Sequence, residues 1–157
     1  MLEAKIINPF LEAATNVLQT MAMIQATPGK PFIKKDGTAL GEVTGIIGIT
    51  GDHTGSLSIS FTKSCIASVI TNLFGSEITE VNEEVCDAVG ELTNMISGDA
   101  RRRLEAEKVM LQGGTPTVVS GPNHSITHIH NGPYLAVPFE TPSGQFTVEI
   151  AFNKEQD

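Results

Sequence analysis

Asn82-Glu83-Glu84-Val85-Cys86-Asp87-Ala88-Val89-Gly90-Glu91-Leu92-Thr93-Asn94, continued by residues 95–112, decides how this chain is read. The spacing predicts one long helix over 82–112, capped by Asn82 and stopped at Gly113-Gly114. Val85, Val89, Leu92, Ile96 and Leu104 recur near the 3.6-residue period and form an apolar stripe. At about 100° per residue, Asp87, Glu91 and Asn94 share the other side, with Gly98 and Arg101 beyond them. Such a helix lies on a core and turns an acid and an amide outward. Gly90 and Gly98 each cost roughly 1 kcal/mol of helix stability relative to alanine. A close backbone neighbour, within the fold or on a partner, would explain them.

The rest of the chain sets the frame. Its 157 residues are enough for one domain with a real core, and 40% are hydrophobic and 18% charged, as in ordinary globular proteins. No apolar run reaches the roughly 18 residues that suggest a membrane span. The start, Met1-Leu2-Glu3-Ala4-Lys5, lacks the basic and apolar blocks of a signal peptide, so a cytoplasmic location is expected. A net charge of −8 disfavours nucleic acid as a partner. Arg101-Arg102-Arg103 is a local basic cluster, but on a helix it fans over several faces and reads as solvated or internally paired. Cys65 and Cys86 sit in apolar helical patterns and read as buried free thiols.

Residues 2–25 carry a first helical pattern, with Pro9 expected as the start of the regular helix and Asn8 as its cap. Residues 32–35 suggest an edge strand, and 42–50 a strand joined by a turn at 51–55 to the next. There Leu57, Ile59 and Phe61 face one way and Ser56, Ser58 and Ser60 the other, which predicts one buried and one wet or lightly covered face. Ser64 is the expected cap of a helix over 65–74, closed by Gly75. Strands are expected at 117–120, 125–130, 134–140 and 145–150. The fold class is therefore α+β, with long helices packed on a mainly antiparallel sheet of about six strands.

The chain also reads as doubled, in halves of about 1–75 and 76–157. Gly55 to Phe61 and Gly144 to Ile150 share one pattern of glycine followed by alternating polar and apolar residues. Each half opens with a long helix, and Asn16 aligns with Asn94 while Ala13 aligns with Glu91. The first helix thus keeps the amide and lacks the acid, leaving a single complete pair.

Other chemistry is thin. His124, His128 and His130 would share one side of an extended segment, which raises a metal site, but no carboxylate or thiol in that segment completes it. No phosphate-binding glycine loop or nucleophile elbow is present. An exposed acid and amide on a helix are, taken alone, ordinary solvated surface.

Asp87-x3-Glu91-x2-Asn94, followed by Gly114-Thr115-Pro116, resembles the signature of the CheC/CheX/FliY family of bacterial chemotaxis phosphatases. Its single Glu/Asn pair is similar to the CheX branch. The resemblance implies hydrolysis of the phospho-aspartate of a CheY-like response regulator receiver domain. It implies that Asn94 orients the attacking water and Glu91 pairs with a receiver lysine, with Asp87, Gly98 and Pro116 on the docking surface. It implies no cofactor of the chain's own, since Mg²⁺ sits in the receiver, and a homodimer formed through the sheet. The chemistry is sensible, because phosphoryl transfer needs positioning and charge neutralisation more than a protein nucleophile. The alternative is a non-catalytic adaptor of the same fold that docks receivers or flagellar switch components.

Overall fold

The computed structural model describes residues 4–35, 38–75, 77, 80–121, 124 and 134–152. The chain runs α1 (Ala4–Ala22), β1 (Thr27–Pro28), β2 (Phe32–Lys34), β3 (Val43–Gly51), β4 (Gly55–Phe61), α2 (Lys63–Phe74), α3 (Glu83–Ala106), β5 (Leu111–Gly113), β6 (Thr117–Ser120), β7 (Tyr134–Thr141) and β8 (Gly144–Phe152). All strands pair antiparallel in one eight-stranded sheet of order β1-β7-β8-β4-β3-β5, with β2 also on β7 and β6 also on β3. The α+β reading holds. Eight strands replace about six because β1, β2 and β5 are two- or three-residue edge pieces. The histidine strand expected at 125–130 lies outside the described residues.

Three local expectations are corrected. α1 does not begin at Pro9 but runs through it from Ala4. The missing proline N–H forfeits only one bond near the helix start, while Ile6 and Phe10 are buried on either side and hold the segment in place. Thr62, not Ser64, caps α2: its hydroxyl accepts from the Cys65 N–H at 3.3 Å. α3 ends at Ala106 rather than Gln112. Lys108 takes φ 64°, its N–H donates to Glu105 C=O, and Val109 N–H reaches back to Leu104 C=O, both at 2.9 Å. That is a Schellman closure with lysine where glycine is usual, so no glycine marked it. The chain thus released forms β5 along β3.

β4 and β8 form the middle of the sheet, registered Leu57 on Ile150, Ile59 on Val148 and Phe61 on Phe146. These apolar residues, with Ile47, Val137 and Phe139, meet Phe10, Leu18, Ile66, Ile70, Val89 and Ile96 of the helices in one core.

The opposite face of β4 is not wet. Ser56, Ser58 and Ser60 are almost fully buried, as are Thr44, Thr147 and Glu149. β4 is flanked on both edges, and side chains from β2 and from His124 reach over this face. Lys34 Nζ donates to both Glu149 carboxylate oxygens at 3.1 Å. Thr44 Oγ1 lies 2.6 Å from both Ser60 Oγ and His124 Nε2. Since His124 Nδ1 faces the Gly121 carbonyl at 2.7 Å, that nitrogen carries a proton and donates.

The Lys34–Glu149 pair yields a prediction. Lys34→Met leaves a buried carboxylate without its cation and lowers unfolding stability by about 3 kcal/mol or more, read as a shift in the urea midpoint. Lys34→Met/Glu149→Met together should recover most of the loss; a double variant as unstable as the single would contradict this.

Candidate functional site

α3 is built as its sequence requires. Asn82 Oδ1 accepts from Val85 N–H at 3.0 Å, and Glu83 and Glu84 stand in the first turn, where the helix dipole favours acids. Val85, Val89, Leu92, Ile96 and Leu104 are buried against the sheet and α1. Each such side chain contributes roughly 1.5–3 kcal/mol, so together they outweigh the cost of Gly90 and Gly98.

The seat of the helix is close. A Cβ on Gly45 of β3 would overlap the Thr93 hydroxyl, so the strand approaches α3 at the turn that carries Asn94. Thr93 Oγ1 donates to Val89 C=O at 2.7 Å, which folds that hydroxyl onto the helix itself. A lateral clamp fixes rotation. Asn16 of α1 donates to Asp99 at 2.9 Å; Arg103 donates to the other Asp99 oxygen at 3.0 Å and to Glu12 at 3.2 Å. Asn16 is therefore engaged as a strut, and Ala13, aligned with Glu91, is buried.

On this braced rod Asp87, Glu91 and Asn94 are all exposed, and Gly98 is partly so, on one stripe. Among the described residues, the side chains of Asp87, Glu91 and Asn94 have no hydrogen-bond or ion-pair partner. The loop after β5 flanks the same stripe. The place for a Cβ on Gly113 lies 3.2 Å from Ser97 Oγ and 3.3 Å from the Arg101 guanidinium, and that on Gly90 lies 3.4 Å from Val118 of β6. Gly114-Thr115-Pro116 therefore crosses beside the turn that holds Asn94, pinned by Gly114 N–H to Gly48 C=O at 3.0 Å.

Within the fold, the close backbone neighbour expected for the helix glycines is not found among the described residues. No backbone lies within 4 Å of a Cβ placed on Gly90 or Gly98; Gly90 meets a valine side chain, and Gly98 only the Arg101 and Arg102 side-chain tips. Gly98 thus leaves open room at the surface one turn past Asn94.

The remaining candidates lie elsewhere. His124 is on the opposite face of the sheet, bonded to Thr44 and Gly121, while His128 and His130 lie outside the described residues. Among the described residues no three His, Cys, Asp or Glu side chains converge to hold a metal ion, and no described helix is long and apolar enough to cross a membrane. Cys65 is buried as expected, whereas Cys86 is only partly so. Burial raises the Cys65 thiol to about 11, against a smaller opposing effect from Thr141. It is protonated at neutral pH and is no nucleophile.

The chain matches the family model described as chemotaxis phosphatase CheX over residues 43–140. It is 30% identical over 121 residues to a protein of Thermotoga maritima named CheY-P phosphatase CheX, covering 76% of this chain and 78% of that one. A CheC-like superfamily protein from Shewanella sp. PV-4 superposes with TM-score 0.90 at 42% identity, over 98% of this chain and 100% of that one. A Borrelia burgdorferi CheX, crystallised as a CheX-CheY-BeF3-Mg²⁺ complex, superposes with TM-score 0.78 at 28% identity, over 95% and 98% of the two chains.

Two outcomes are expected. Gly45→Ala should cost about 1–3 kcal/mol through overpacking against Thr93, measured by chemical unfolding. Cys65 in the folded protein should resist a thiol-modifying reagent at pH 8 and react once the protein is unfolded in urea, followed by mass spectrometry; rapid labelling of the native state would contradict its burial.

Proposed function

The chain belongs to the CheX family of chemotaxis phosphatases, and we propose that it hydrolyses the phospho-aspartate of a CheY-like receiver domain, with Asn94 and Glu91 as its working residues. The observation that carries this reading is the exposed, unpartnered Glu91 and Asn94 on one face of a helix held rigid from behind. A carboxamide with no internal bond is free to enter a neighbour's pocket, and the Gly45–Thr93 seat and the Asp99 clamp keep it from swinging away.

In the proposed reaction the water oxygen attacks phosphorus in line, the bond from phosphorus to the aspartyl oxygen breaks, and aspartate and inorganic phosphate leave. Asn94 holds that water by hydrogen bonds, converting a diffusive encounter into an aligned one. Glu91 pairs with a receiver lysine and fixes the depth of entry. Mg²⁺ and the other neutralising charges reside in the receiver, so this chain supplies no cofactor. Asp87 and the Pro116 loop border the docking surface, and Gly98 leaves it open. The relative from Borrelia, crystallised with CheY, supports this choice of partner. A receiver substrate places the reaction in the cytoplasm. A homodimer paired through the sheet belongs to the same reading: Phe32 and Ile33 are exposed on edge strand β2, an apolar surface such pairing would cover.

A non-catalytic adaptor would have no use for the amide, and this separates the two readings. Phosphate release from a receiver charged with acetyl phosphate is the assay. Asn94→Ala should lower kcat by about 100-fold or more while the receiver still binds in a titration. Glu91→Ala should raise KM roughly 5- to 10-fold. Full turnover by Asn94→Ala would remove the amide from the mechanism, and unchanged receiver affinity in Glu91→Ala would remove the docking role.

A further inference from the structure

The basic cluster 101–103 does not behave as one unit. Arg103 is internally paired with Asp99 and Glu12. Arg101 and Arg102 have no ion-pair partner among the described residues, and Glu105, one turn on, pairs with neither. Their guanidinium tips nonetheless converge. Arg102 Nη1 and Arg101 Nη2 lie 3.6 and 3.7 Å from the place a Cβ would take on Gly98. Arg101 is partly buried, the Nε end of its guanidinium lying beside Gly113, with Nε enclosed and without an acceptor among the described residues. Two like charges held at one spot without a counter-ion repel each other, and an unanswered buried donor adds to the cost. An anion placed over Gly98 would relieve the repulsion.

Resting on the phosphatase reading above, we propose that Arg101 and Arg102 form a notch over Gly98 that takes a carboxylate on the receiver's surface, next to its phosphorylated pocket. Arginine side chains on a helix lean toward its N-terminus, so both tips lie one turn back, over Gly98. Gly98 is four positions from Asn94, about 6 Å along the axis. With Asn94 in the phosphorylated pocket, the notch therefore meets the receiver beside that pocket rather than the phosphoryl group itself. Along the stripe the charges then read acid at Asp87 and Glu91, amide at Asn94 and cation at 101–102. A receiver presenting a lysine opposite Glu91 and an acid opposite the notch fits in one direction only, and a reversed approach sets like charges together. Gly98 is what keeps the notch open: any side chain there would fill it.

The test uses the whole protein and a receiver charged with acetyl phosphate. Arg101→Gln/Arg102→Gln should raise KM about tenfold, leave kcat within about twofold, and flatten the fall of kcat/KM with added salt. Arg101→Lys/Arg102→Lys should keep the salt dependence while recovering only part of the KM, because lysine lacks the fork. If the double glutamine variant loses its native circular dichroism, Arg102→Gln, whose side chain is exposed, carries the same readout. Unchanged KM and unchanged salt dependence would overturn the notch. A fall in kcat at constant KM would overturn it too, by placing the guanidinium groups on the phosphoryl group. A wild-type protein that binds the beryllofluoride-charged receiver without turnover would sink the phosphatase reading alone, and the same variants then decide the notch by Kd. A wild-type protein that neither binds nor turns over would sink both.

Discussion

A strand with no side chain at Gly45 and a helix with a hydroxyl at Thr93 meet in one small space. This contact sets the depth at which α3 sits on the sheet, and Asn94 is the next residue along. Had either partner been larger, the helix would ride higher and rotate, and the exposed stripe would turn with it. The clamp through Asp99 works at right angles to this seat. Asn16 of α1 and Arg103 grip the two carboxylate oxygens, and Glu12 ties Arg103 to α1 a second time. Depth is fixed by packing and rotation by hydrogen bonds, so the outward stripe inherits its aim from residues beneath and beside it.

Such rigidity matters because the proposed site has so little chemistry of its own. In the proposed reaction the Mg²⁺ belongs to the receiver, so the two residues of this chain contribute alignment, which packing must hold. The apolar stripe of α3 secures the rod, and glycine at position 98 is then affordable in energetic terms. Within the fold no backbone approaches it, and it leaves the surface beside the amide open.

The far side of the sheet solves a different problem. A strand of alternating serines would ordinarily face water, yet here the serines are covered and must be satisfied locally. Thr44, Ser60 and His124 form a hydrogen-bonded chain, and Lys34 brings its cation to a fully buried Glu149. Ser58 Oγ alone among these serines is left without a partner. The layer costs more than an apolar one would, and it fixes where β2 lies against the sheet.

The α+β class, the capped and outward-facing α3, and the pairing of Glu91 with Asn94 on one stripe were legible in the sequence by itself. They depend on local periodicity and on caps within a few residues. The end of α3 was not legible, because lysine took the left-handed position that glycine usually announces. The covering of the serine face was not legible either, since alternation tells that a strand has two faces and not what lies over the second. Nor did the run of three arginines reveal that one is paired and two are free. Glu12 comes to Arg103 from across a helix interface, whereas Asp99 stands one turn back on the same helix, and Gly113 comes to Arg101 from a strand. Local spacing determined which residues share a face; only the tertiary structure decided what stands opposite each face, because that depends on contacts between segments far apart in the chain.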